Sequence, residues 1–222
     1  MKFRPFNSRG EVLRHRGSLP HWRQQGATYF ITGRLGDALP QAKLRQWARE
    51  RVMWLRSRGL RSADEVEKLS EREQWRFREW FSARIHRWLD AGYGECWMKR
   101  PDIAQMVAEA LLFGDGKSYA LDAWVVMPNH VHALLTPLGE FSLGEINRSW
   151  RGFSARQANK RIGRTGGFWQ EESWDRIVRN EDELFHWRRY IAQNPAKAHL
   201  REGTWLVGMG CGLETEAKPS AQ

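Results

Sequence analysis

The sequence predicts a globular domain that mixes a few strands with several long helices, and three observations carry that expectation. Apolar residues recur at spacings of three, four and seven over several long stretches, the period of an amphipathic helix. Between them lie short runs rich in β-branched and aromatic residues, above all 27–33 and 117–137, which read as strands. The chain has 222 residues, 41% hydrophobic and 28% charged, enough for one sizeable core. No run approaches the roughly 18 apolar residues of a membrane helix, so transmembrane and fibrous classes are excluded and no membrane partner is expected.

Residues 1–26 carry Arg4, Arg9, Arg14, Arg16 and Arg23 with little apolar periodicity, and so predict a partly flexible basic arm; no apolar stretch there matches a secretory signal. A first strand follows at 27–33. Asp37 and Pro40 open a helix through Leu44, Trp47, Trp54 and Leu55, closed by Gly59. Asp64 with Glu67 suggests a capping box for a second long helix, whose stripe runs through Val66, Leu69, Phe77, Phe81, Ile85 and Trp88 to Gly92. Pro101 starts a third helix, stopped at Gly114 and Gly116. Residues 117–137 read as two strands joined at Pro128 and Asn129. Ser142 with Glu145 caps a helix to about Ile162, with Leu143, Ile146, Trp150 and Phe153 as its buried stripe. Residues 174–178 fit a short strand. Asn180 with Glu183 caps a last helix that Pro195 should end or kink. The glycine-rich, polar segment 208–222 is expected to be a flexible tail, leaving 27–207 as a single domain.

Lysine and arginine total 36 against 26 acidic residues, a net charge of +10, which favours a polyanionic partner, nucleic acid first. Arg14, Arg16 and Arg23 of the arm are candidate phosphate contacts. So are Arg156, Lys160 and Arg164, spaced i, i+4, i+8 along one flank of the fourth helix. The 13 tryptophans suit a core and also suit stacking on unpaired bases. Cys96 and Cys211 stand alone, which points to a reducing cytoplasm without a disulfide framework or a cysteine-built zinc site.

His130 and His132 flank Val131, and the period of a strand sends both imidazoles to one face, where they can hold one metal. Ordinary strand histidines fit the same tripeptide. Tyr190 and Asn194 are one helical turn apart, about 40° in phase, beside the stripe of Leu184, Trp187 and Ile191. There a phenol can line a cleft and an amide oxygen can ligate a metal. A boundary tyrosine next to an asparagine at a helix end fits as well.

With these residues in place, the chain resembles the single-tyrosine HUH transposases, and within them the REP-associated tyrosine transposases of bacteria. The matching stretches are 124–135 (WVVMPNHVHALL), 167–170 (GFWQ), 174–179 (WDRIVR) and 190–200 (YIAQNPAKAHL). The resemblance implies an α+β domain, a ferredoxin-like antiparallel sheet with helices packed on it (the HUH endonuclease fold), plus a helical insertion at about 60–98. It also implies that His130 and His132 are metal ligands, that Tyr190 is the nucleophile and that Asn194 completes the ligation. Related transposases carry glutamine at the position of Asn194 and usually glycine at that of His199. Mg²⁺ or Mn²⁺ is the implied cofactor, with no nucleotide cofactor, and single-stranded or hairpin DNA is the implied partner of a cytoplasmic, nucleoid-associated protein. The activity implied is metal-dependent single-strand cleavage and strand transfer through a phosphotyrosine. A domesticated protein that binds structured DNA without transferring strands, and a phosphoesterase using water, are the rivals; monomer and homodimer both stay open.

Overall fold

A computed structural model describes residues 3–15, 21–171 and 173–210. Its elements run in the order β1 (Leu13–His15), β2 (His21–Arg23), β3 (Tyr29–Arg34), α1 (Gln41–Arg56), α2 (Glu71–Asp90), α3 (Pro101–Leu112), β4 (Tyr119–Val126), β5 (His130–Pro137), α4 (Leu143–Ile162), β6 (Trp174–Ile177), α5 (Glu181–Lys197) and β7 (Leu206–Met209). The main sheet has the order β6-β3-β5-β4-β7, antiparallel throughout. Its first four strands have the order of a ferredoxin-like sheet, so the fold is the predicted α+β one, with β7 added at one edge.

The sheet is buried on both faces. Tyr29, Ile31, Val131, Ala133 and Leu135 point into the larger core, shared with Trp47, Phe77, Phe81, Ile103, Val107, Ile146 and Trp150 of α1 to α4. Phe30, Ala123, Val125, Met127 and Leu134 point the other way, against Leu184, Trp187 and Ile191 of α5. A bulge in β4 between Leu121 and Trp124 resets the alternation, which lets both of those residues join the larger core. Gly33 pairs with Val131 on β5, and a Cβ there would lie 2.8 Å from the Trp150 ring. The missing side chain is what lets α4 approach the sheet so closely.

Several boundaries differ from the sequence expectation, each for a local reason. Ser70, whose hydroxyl accepts from the Glu73 amide, caps α2, while 63–68 form a separate 3-10 turn, so α2 begins later than the expected start at Asp64. Phe153 is exposed. The buried line on α4 passes instead through Asn147, Trp150, Ser154 and Ala158, because Ser154 is held by the Trp169 indole. Pro195 lies inside α5, which continues to Lys197. The described part of the arm is docked: Arg4 and Thr28 exchange hydrogen bonds, the Phe6 amide donates to the Val178 carbonyl, and β1 pairs with β2. Of the expected tail, residues 208 and 209 belong to β7, the Gly210 amide donates to the Asp122 carbonyl, and 211–222 lie outside the described residues.

Candidate active site

The alternation of β5 sets one half of the site. His130 and His132 face the α5 side, fully buried, with ring centroids 4.6 Å apart. Each has its Nδ1 engaged. His132 Nδ1 lies 2.8 Å from the hydroxyl of Thr32, its register partner on β3. His130 Nδ1 lies 2.7 Å from Asn129 Oδ1. The Asn129 amide nitrogen donates to the Leu89 and Tyr93 carbonyls at 3.1 Å each, so only its oxygen is left to face the imidazole. An amide oxygen accepts, so His130 carries its proton on Nδ1 and turns a free lone pair outward at Nε2. Among the described residues, neither Nε2 has a hydrogen-bond partner.

The other half comes from α5. Asn180 accepts from the Glu183 amide and starts the helix, and Trp187 stacks on Phe30, which stacks in turn on His132. Arg188 clamps the fully buried Asp122 of β4 through Nε at 3.0 Å and Nη2 at 2.8 Å. Tyr190 then meets the His132 ring edge-on, with centroids 5.2 Å apart. Asn194, one turn on, is fully buried, its Nδ2 is 3.5 Å from Asp90 Oδ1 of α2, and it lies near enough to His130 and Tyr190 to act on the ionisation of both. The Tyr190 hydroxyl and Asn194 Oδ1, like the two Nε2 atoms, are buried without hydrogen-bond partners among the described residues. Lysine at the end of the helix adds charge: Lys197 lies over the Tyr190 ring at 5.2 Å.

Burial dominates the electrostatics. It lowers His86 to about 4 and His130 to about 3, and takes His132 well below the ordinary histidine value, so all three imidazoles are neutral at pH 7. Neutral imidazole is the form that ligates a metal. Burial, and secondarily the Asp90 charge, holds the Tyr190 phenol well above its ordinary value. Burial also raises Asp90 to about 6, against the opposing effects of Asn194 and Lys197.

The fold thus gathers His130, His132, Tyr190 and Asn194. The predicted DNA-contacting residues lie elsewhere. Arg156, Lys160 and Arg164 are exposed, the first two on α4 and Arg164 beyond the left-handed Gly163, which breaks the intended stripe. Arg23 is paired with Asp175; the Arg14 side chain and all of Arg16 lie outside the described residues. An open cavity of about 510 Å³ between α4 and the 166–173 segment is lined by Arg23, Arg148, Arg151 and Trp169.

Sequence reasoning missed Thr32, Asn129, Asp90 and His86, whose ring centroid lies 5.4 Å from that of His132 and 5.3 Å from that of Tyr190. One signal was available: His86 and Asp90 are a turn apart on α2, polar neighbours of the buried Ile85 and Leu89. As a metal site the arrangement offers two imidazole nitrogens and one amide oxygen, all buried and unpartnered. Among the described residues, no three His, Cys, Asp or Glu side chains converge on one ion position.

No protein-family model matches the chain. A curated protein of Escherichia coli (strain K12) named REP-associated tyrosine transposase is 30% identical over 82 residues, 36% of this chain and 47% of that protein. The match therefore spans about half of the relative's length. A solved structure described as a REP-associated tyrosine transposase bound to a REP hairpin aligns over 80% of this chain and 71% of its own, at 19% identity and a TM-score of 0.43. The resemblance read from the sequence is met by a relative bearing that name.

Proposed function

We propose that the chain is a metal-dependent, single-strand DNA endonuclease and strand transferase that works through Tyr190. The observation that carries this reading is the convergence of four buried, unpartnered polar atoms, His130 Nε2, His132 Nε2, Asn194 Oδ1 and the Tyr190 hydroxyl. Buried polar groups are rarely left unpaired in folded proteins, and several at one place mark a site built for something else. His130, His132 and Asn194 would hold Mg²⁺ or Mn²⁺, mixed nitrogen and oxygen donors being compatible with either. When bound, the ion supplies positive charge to the scissile phosphate and to the developing phenolate.

The chain's own residues do the rest. Tyr190 is carried on α5, which the Arg188 clamp fixes to β4, and its oxygen attacks phosphorus in line. Once local opening admits the strand and water, the Tyr190 O–P bond forms, the bond to the 3′-oxygen breaks, the phenol proton passes to that water, and the leaving strand takes up a proton as its 3′-hydroxyl. The 5′-phosphate stays on Tyr190, and a later 3′-hydroxyl reverses the step to join strands without a nucleotide cofactor. Single-stranded or hairpin DNA is the substrate class that the +10 charge and the exposed Arg156, Lys160 and Arg164 support.

The test is an oligonucleotide carrying a hairpin and an unpaired flank, labelled at either end, incubated with Mn²⁺ and run on a denaturing protein gel. The 3′-end label is expected to migrate with wild-type protein and not with Tyr190→Phe, and His130→Ala or His132→Ala is expected to abolish cleavage. Full cleavage by Tyr190→Phe would hand the attack to water. Hairpin binding with no cleavage by any form would leave a DNA-binding protein.

A further inference from the structure

We propose that the end of α2 and the turn after it orient two of the metal-facing side chains: Asp90 turns the Asn194 amide oxygen toward the histidine pair, and the Leu89 and Tyr93 carbonyls hold Asn129 so that His130 offers its Nε2. This rests on the reading of His130, His132 and Asn194 as a divalent-ion site. A side-chain amide has two nearly isosteric faces, and only its partners decide which one points where. A carboxylate accepts and never donates when ionised, so the end of Asn194 beside Asp90 is the NH₂ end, at 3.5 Å. The charge strengthens that long contact. Rotating the amide by half a turn would set Oδ1 against the carboxylate and aim hydrogens at the imidazoles.

The same logic governs Asn129. Two backbone carbonyls, at 3.1 Å each, take both of its hydrogens. Its oxygen is thereby committed to His130 Nδ1 at 2.7 Å. Both controls come from residues 89–93, at the end of α2 and its following turn, which are distant in sequence from either ligand. Asp90 is therefore a positioning residue that acts through Asn194, and Asn129 one that acts through His130. Partners of this kind, behind the ligands, contribute about 10- to 100-fold to metal affinity.

The full chain, stripped of metal, is titrated with Mn²⁺ by calorimetry and by loss of the free-ion paramagnetic resonance signal. Asp90→Asn keeps the shape but can donate as well as accept, so it frees the amide to flip; about 10-fold weaker Mn²⁺ binding is expected, with the circular dichroism spectrum unchanged. In an Asn194→Ala background the same substitution is expected to cost nothing further. An equal loss in both backgrounds would mean that Asp90 acts on the ion by itself, and wild-type affinity in Asp90→Asn would mean that it does not act; either result overturns the proposal for Asp90. Long-range proton–nitrogen spectra of the metal-free protein are expected to show His130 protonated on Nδ1, and in Asn129→Leu, which removes the acceptor, a shift of that equilibrium toward Nε2–H together with weaker Mn²⁺ binding. An Nε2-protonated His130 in the wild type overturns the second half. A wild-type chain that binds no Mn²⁺ would instead defeat the ion site itself, and this proposal with it.

Discussion

Replacing Arg188 by methionine removes the clamp between α5 and the sheet, and the structure says what this costs. The Asp122 side chain is completely buried, while that of Arg188 keeps 28% of its exposure. Its guanidinium holds the carboxylate through Nε and Nη2, with contacts of 2.8 to 3.2 Å. Removing one partner of a buried pair leaves an uncompensated charge and costs about 3 to 5 kcal/mol. Because Arg188 is partly exposed, water can reach some of the vacated space, so about 3 kcal/mol is expected. For a chain of this size that is roughly 6 to 12 °C in Tm. The loss is read from urea unfolding followed by near-ultraviolet circular dichroism, at 0.15 M and 1 M salt. Salt is expected to change it little, since a buried pair is weakly screened. Combining Arg188→Met with Asp122→Leu removes both charges, and most of the stability is expected to return. A single-variant loss under about 1 kcal/mol, or one undiminished in the double variant, would refute the claim that the cost is that of a stranded carboxylate.

Acidification is expected to destabilise the metal-free protein. His86, His130 and His132 are neutral when folded and take protons near pH 6.5 when unfolded, so stability is present above that value and is lost as pH falls toward their depressed folded values. Between pH 7 and 5 the three together amount to about 5 kcal/mol by linkage. Asp90, whose folded value is raised to about 6, works in the opposite direction below that pH; a flat urea midpoint from pH 7 to 5 would contradict the dry, neutral histidine pocket. Gly33→Ala is expected to cost about 1 to 3 kcal/mol by crowding Trp150, and Trp150→Phe in the same chain to return part of it, as urea midpoints would show. Arg156→Ala and Lys160→Ala are each expected to lower the slope of log affinity against log salt for hairpin DNA by roughly 0.7 to 0.9. An unchanged slope would take α4 out of the DNA path.

The elements legible in the sequence were those specified locally. Ser142 with Glu145 and Asn180 with Glu183 start their helices as expected, and the turn at Pro128 and Asn129 joins β4 to β5. Strand and helix periods put His130 with His132, and Tyr190 with Asn194, on one face each, while the roles expected of them were implied by the resemblance rather than by the periods. What stayed hidden depends on contacts between distant segments. Phe153 lost its place in the core because Ser154 is claimed by Trp169. The arm looked loose because its partners, Thr28 and Val178, lie far along the chain. His86 and Asp90 belong to a helix whose apolar stripe explains its packing, and their spacing of one turn beside Ile85 and Leu89 is the one local sign that its last turn reaches a second cluster.

The complete burial of His130, His132 and Asn194 has a kinetic consequence for the divalent ion proposed to sit among them. An ion in solution meets no donor atom on a closed molecule, so uptake proceeds only through molecules that have opened locally. The observed association rate is then the intrinsic rate multiplied by the open fraction. Each 1.4 kcal/mol of opening free energy slows it about tenfold. Departure is subject to the same gate, so slow exchange of the ion can accompany modest affinity. A conventional chelator assay on the timescale of mixing would then report the local opening of the pocket rather than the strength of the coordination.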